Sequence, residues 1–277
     1  MSIISNFTAE PNRLEMVVKY LKSTKKQYTK QELEDVFSPS NARGSSSVFR
    51  EVYTVLESLD LLKVDNDFIK LNLPKTKQPI SVIIRDAVFN KDFSNKDDFS
   101  LALSWFQSQN SIKNLDWSDN LTNIVNSDLN ENYNELDLTN NSRWQHFGYW
   151  CIYLGFATKI YIAEKTYLCP DPTEAINNEI KNIFTANKEI RIKEFFLALS
   201  NILPVLDYGN IRIKINESIR EGLQLPEDTL SKSTSLALLR LESRNIIKLT
   251  HKADADSLVI TDGNKNKTIS HISYLGQ

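Results

Sequence analysis

Glycine, proline and cysteine are all scarce in this 277-residue chain, at seven, eight and two residues. So little glycine and proline argues against a loop-rich β-sandwich, a Gly-rich nucleotide fold or a disordered linker protein. The two cysteines, Cys151 and Cys169, sit in apolar sequence. They are too few for a secreted disulfide framework and too far apart for a zinc or redox pair. The three histidines, His146, His251 and His271, are dispersed, and none is paired at the i, i+4 spacing of metal ligands. No phosphate loop and no G-x-S-x-G elbow occurs. The first residues lack the basic start and apolar run of a signal peptide. The longest apolar stretch, Tyr149 to Ala157, is about half of the ~20 residues that a membrane helix requires. Neither charge is in excess, with 33 Lys+Arg against 35 Asp+Glu. The expectation is a reduced, cytoplasmic protein with no membrane span, catalytic residue, metal or cofactor.

The near-zero net charge conceals an uneven distribution. Residues 1–80 carry +2, residues 81–188 carry −5 and residues 189–277 carry +1. Neither end is a polybasic tail, so any attraction to phosphate has to come from local placement of cations.

The amino-terminal pattern is the clearest. Pro11 suits the first turn of a helix, and Leu14, Val17, Val18 and Leu21 follow at helical spacing. Thr29-Lys30-Gln31-Glu32 is a capping box opening a second short helix that buries Leu33 and Val36. Ser45, Ser46 and Ser47 offer caps for a third, with Val48, Val52, Val55, Leu56 and Leu59 as its apolar face. The period then alternates, and Leu62 to Leu71 around Asp65-Asn66-Asp67 reads as a β-hairpin. Three helices and a hairpin over residues 10–73, about a quarter of the chain, resemble the winged helix-turn-helix superfamily.

Leu56-Glu57-Ser58-Leu59-Asp60-Leu61-Leu62-Lys63-Val64 recurs as Leu241-Glu242-Ser243-Arg244-Asn245-Ile246-Ile247-Lys248-Leu249. Serines precede both copies. An apolar helix from Ile192 to Leu206 and a short one near Glu217 to Leu223 come before the second copy. Ser257 to Thr261 is expected to be its returning wing strand. Between the ends, helices are expected after Asp97 or Asp98, through Trp144 to Leu154, and from Asp171 as N-cap with Pro172 first in the helix. Lys159 to Leu168 alternates like a hairpin. The expected architecture is mainly α with small β-hairpins (α+β). Two winged helix-turn-helix domains, 1–80 and 189–277, flank a helical middle domain, 81–188.

A helix-turn-helix places its third helix in the major groove. That turns Ser45, Ser46, Ser47, Arg50 and Thr54 outward, with Arg43, Lys25, Lys26 and wing residue Lys70 near the backbone. In the second domain Lys232, Ser233, Thr234, Arg240 and Arg244 are the equivalents. Glu51, Glu57 and Glu242 weaken the attraction, and a net acidic chain also fits a protein adaptor. His146, Cys151, Trp144, Phe147 and Trp150 read as core. The expected partners are double-stranded DNA and the proteins of a multi-subunit complex, with a homodimer left open.

The run Arg143-Trp144-Gln145-His146-Phe147-Gly148-Tyr149-Trp150-Cys151-Ile152-Tyr153-Leu154-Gly155-Phe156, with Pro170-Asp171-Pro172-Thr173 after it, resembles a central block of DpdG-type proteins. Those are accessory proteins of bacterial systems that place 7-deazaguanine in DNA and restrict foreign DNA. The resemblance implies a non-catalytic, DNA-binding or adaptor subunit beside helicase or nuclease partners in antiviral defence. It assigns no catalytic residue. A pure scaffold and, after it, a transcriptional regulator are the other readings.

Overall fold

The computed structural model describes residues 3–38, 48–90, 98–109, 115–130, 136–138, 140–185, 187–263 and 265–276. These fall into two units, Met1–Phe99 and Ser100–Gln277. Both are helical with small antiparallel sheets, the α+β class that the sequence predicts.

In the first unit Pro11 opens α1 (Pro11–Ser23), where its missing N–H costs no hydrogen bond, and Leu14, Val17 and Val18 are buried. Strand β1 (Tyr28–Thr29) runs directly into α2 (Lys30–Phe37) through the expected capping box. Glu32 N donates to Thr29 Oγ1 at 3.2 Å, and Thr29 N donates to Glu32 Oε2 at 2.9 Å. Helix α3 (Val48–Ser58) buries Phe49, Val52, Tyr53, Val55 and Leu56. Strands β2 (Leu62–Asp65) and β3 (Phe68–Leu71) form the expected hairpin. Asn66 and Asp67 both take the left-handed conformation, at φ 48° and 67°, that a two-residue turn matched to strand twist requires. The sheet order is β1-β3-β2, and α4 (Ile80–Val88) follows.

The second unit repeats this plan twice. Helix α5 (Phe99–Ser108), β4 (Leu115–Asp116), α6 (Thr122–Asp128), α7 (Asn141–Tyr153), β5 (Ala157–Ile162) and β6 (Lys165–Pro170) follow the same order, with sheet order β4-β6-β5. The third copy runs through α8 (Thr173–Ile183), β7 (Glu189–Arg191), α9 (Ile192–Ile202), α11 (Lys232–Ser243), β8 (Ile247–Thr250) and β11 (His271–Tyr274), with sheet order β7-β11-β8. It carries two insertions, α10 (Asn210–Ser218) and the hairpin β9 (Leu258–Asp262)–β10 (Lys265–Ile269).

The copies match hydrogen bond by hydrogen bond where the third helix enters its strand. Leu61 N donates to Leu56 O at 2.9 Å, Phe156 N to Cys151 O at 2.8 Å and Ile246 N to Leu241 O at 3.0 Å. The residues before these donors, Asp60, Gly155 and Asn245, all have positive φ, at 54°, 85° and 56°. This is the Schellman ending, which favours Gly, Asn or Asp in the left-handed position. The carbonyls of Leu61, Phe156 and Ile246 then accept from Asn72, Asp171 and Leu275, each closing a sheet in the same register.

Several expectations change here. The chain divides after residue 99 rather than at 80 and 188, because α8, placed before the expected break, packs on α9 and α11. The first helix of the last copy is therefore α8, not the one beginning at Ile192. The short helix expected near Glu217 lies instead at Asn210–Ser218. Leu258–Asp262 does not pair with β8. That place is taken by His271–Tyr274, and β9 pairs with β10. Helix α8 begins at Thr173, with Pro172 in the cap position, while Asp171 Oδ1 accepts from Thr173 N at 3.2 Å.

Candidate nucleic-acid interface

In the first copy α3 turns Arg50 outward, its side chain 64% exposed. The guanidinium is already held: Nε lies 2.9 Å from Oε1 of Glu34 on α2, a carboxylate that is 4% exposed. Thr54 Oγ1 donates to Arg50 O at 2.7 Å, so its hydroxyl is spent on its own helix. Glu51 Oε2 accepts from Thr8 Oγ1 at 2.6 Å. Lys26 pairs with Glu32 at 3.2 Å and covers the Tyr28 ring at 4.6 Å. Glu32 is held below the usual carboxylate range, first by the Thr29 backbone N–H and then by Lys26. Lys70 pairs with Asp65 across the hairpin. Lys25 is exposed and has no carboxylate partner among the described residues. Arg43, Ser45, Ser46 and Ser47 lie outside the described residues.

The third copy treats the equivalent positions differently. Ser231 caps α11 by accepting from Thr234 N at 3.4 Å, and its hydroxyl donates to Asp207 Oδ2 at 2.7 Å. Ser233 Oγ donates to Gln107 O at 2.6 Å, and Ser233 and Thr234 are fully buried. The expectation that these two hydroxyls face outward is thus corrected: α5 covers this end of the helix. From the other side, Thr261 N of β9 donates to Ser235 Oγ at 3.2 Å. Arg240 donates to the buried carboxylate of Asp171, which also accepts from Thr158 Oγ1 at 2.8 Å. Arg244 pairs with Glu174 at 2.6 Å. Half-buried Lys232 has no carboxylate partner among the described residues. It lines, with Thr158, Cys169, Arg240 and Thr261, a cavity of about 350 Å³. Burial, reinforced by the Asp171 charge, pushes the Cys169 thiol up to about 11.

The middle copy holds cations that the sequence reading missed. Arg143 pairs with Asp137, and Lys165 lies 3.5 Å from Asp116. Lys159 sits 3.5 Å above the Trp117 ring and 5.1 Å from that of Tyr149, and burial lowers its pKa. Gly148 makes room for this stack, since a Cβ there would stand 2.5 Å from the Trp117 ring. The core reading of α7 holds: Trp144, Phe147, Trp150 and Cys151 are buried, and Trp150 Nε1 donates to His146 Nε2 at 3.2 Å. Among the described residues no helix is long and apolar enough to cross a membrane, and no group of three His, Cys, Asp or Glu could hold a metal ion.

The fold and these side chains define a tandem α+β protein whose third helices differ in what covers them. A family model described as DpdG-like matches residues 1–255, and the chain belongs to that family. No curated protein and no solved structure matches it.

Proposed function

We propose that the chain is a non-catalytic accessory subunit of a DNA modification and restriction system, built from three winged helices of which one contacts duplex DNA. The amino-terminal copy makes the contact, with Arg50 on the third helix and Lys25, Lys26 and Lys70 beside it. The other two copies form a scaffold that docks on partner proteins. Family membership supports the accessory role. The division of labour rests on one observation: the third helix of the first copy carries an outward arginine, whereas the third copy buries the matching hydroxyl face under α5 and β9.

A pure adaptor is the second reading. It is favoured by the pairing of Arg50, Lys26 and Lys70 with carboxylates, since each pair has to be loosened or shared before a phosphate is bound. Fluorescence anisotropy with a labelled duplex at several salt concentrations separates the two. Contact through these four cations gives a log–log salt slope of about −3 to −4, because each neutralised phosphate contributes about −0.9. Lys25→Ala with Lys26→Ala should bring it about two units closer to zero. Absent or salt-insensitive binding would leave the adaptor, which then has to co-purify with a product of a neighbouring gene.

A further inference from the structure

The insertion α10 carries a buried cation that the proposed DNA contact does not use. Arg212 is 2% exposed. Its Nη1 donates to Ser104 O at 3.1 Å, and its Nη2 lies 3.6 Å from Asp207 Oδ1, beyond a hydrogen bond. Its Nε is buried and has no partner among the described residues. A guanidinium has five donors, and a buried donor left without an acceptor is costly enough that native structures avoid it unless water or a ligand supplies one. Desolvation lowers the pKa of this arginine, with Asp207 opposing the shift. Asp207 is itself engaged by Ser231, whose backbone N and Oγ both donate to it.

Arg212 lines a cavity of about 280 Å³ that it shares with Lys232. One carboxylate lines the same space, that of Asp128, and its Oδ2 is doubly engaged. Trp105 Nε1 and Gln109 Nε2 donate to Oδ2 at 3.2 and 2.9 Å, and Ser127 Oγ reaches Oδ1 at 3.4 Å. Two cations, Arg212 and Lys232, thus line the cavity against one carboxylate. Apolar side chains complete the lining: Ile219 is buried, whereas Leu223 and Leu225 are 55% and 44% exposed. A cavity near the lower end of the ligand-pocket range, lined by a few polar groups together with apolar side chains, has the form of a small-molecule site.

We infer that this cavity binds a small amphipathic anion, its oxyanion head on Arg212 and Lys232 and its apolar body along Ile219, Leu223 and Leu225. The head is a carboxylate or a phosphate monoester. Lys232 thereby serves this site rather than a DNA backbone, and the start of α11 serves as a pocket wall.

Calorimetric titration of the full chain tests this with inorganic phosphate, hexyl phosphate, acetate and hexanoate. At least one of the two alkyl anions should bind about tenfold tighter or more than its short counterpart, and the ratio of the two alkyl anions tells phosphate from carboxylate. Lys232→Ala should weaken both long and short anions of the favoured head about tenfold. Leu223→Ser, at an exposed position, should weaken only the alkyl anion. Since Arg212→Ala endangers folding, these two variants carry the test. No heat from any probe up to about 10 mM with a folded protein, or alkyl anions no tighter than short ones, would overturn the assignment.

Discussion

Replacing Asp171 by Asn keeps the shape of the side chain but removes the charge that joins the second and third copies. The carboxylate is 6% exposed and accepts from Thr158 Oγ1, Thr173 N, Thr173 Oγ1 and Arg240 Nη1. Bonds to a charged group contribute more than neutral ones, at about 1.5–3 kcal/mol each. The amide retains part of the network, and Arg240, with 39% of its side chain exposed, is rehydrated. The net loss is therefore about 2 kcal/mol. For a unit of this size that lowers Tm by about 6 °C. The assay is a double-mutant cycle of Asp171→Asn and Arg240→Ala, followed by urea and thermal unfolding. The pair should couple by about 1–2 kcal/mol, since each partner is removed only once. If the two losses add within about 0.5 kcal/mol, this pair does not hold the copies together.

Three further outcomes follow from the same geometry. Gly155→Ala should cost about 2 kcal/mol, because φ is +85° and the added Cβ would meet Ala175 N at 2.9 Å, whereas Asn245→Gly should raise stability by about 0.5 kcal/mol. Equal effects in thermal melts would contradict a shared left-handed ending. Cys169 ionises near 11 when folded, and Cys151 is shifted the same way by burial, both from an ordinary value of 9.0. Their contribution is complete below pH 9 and is lost as pH rises towards 11, so Tm should fall across that window. A flat Tm there, or rapid alkylation of both thiols at pH 8 in folded protein, would contradict the burial. In the middle copy, Gly148→Leu should expel Trp117 and free Lys159, read as loss of tryptophan fluorescence quenching at fixed stability of the first unit.

What could be read from the sequence was what is encoded locally. The Thr29–Glu32 box, the Asn66-Asp67 turn and the nine-residue echo each depend on residues within one turn or one hairpin, and all are found as spaced. The middle copy escaped notice although its backbone is the same. Its left-handed position is filled by Gly155 where the others have Asp60 and Asn245, and Phe156-Ala157 replaces Leu61-Leu62 and Ile246-Ile247. One conformational requirement is met there by different letters. The candidate interface suffered from distance along the chain. Ser233 is buried by Gln107, which lies 126 residues away, and Arg240 is held by Asp171 at a separation of 69. No window on α11 contains either partner. Leu258 to Thr261 has a true strand pattern, but its partner is β10, which an alternation of apolar and polar residues cannot specify.

In the proposed division of labour the first copy alone meets DNA, so charge changes near the two ends of the full chain should act unequally. Affinity for a labelled duplex at low salt is measured for Lys25→Glu with Lys26→Glu, and separately for Arg244→Ala. Reversing the two amino-terminal charges should lower affinity at least tenfold, by about 1.4 kcal/mol or more, while the Arg244 variant binds like the unaltered protein. Loss of binding on changing Arg244, with no effect at Lys25 and Lys26, would contradict it.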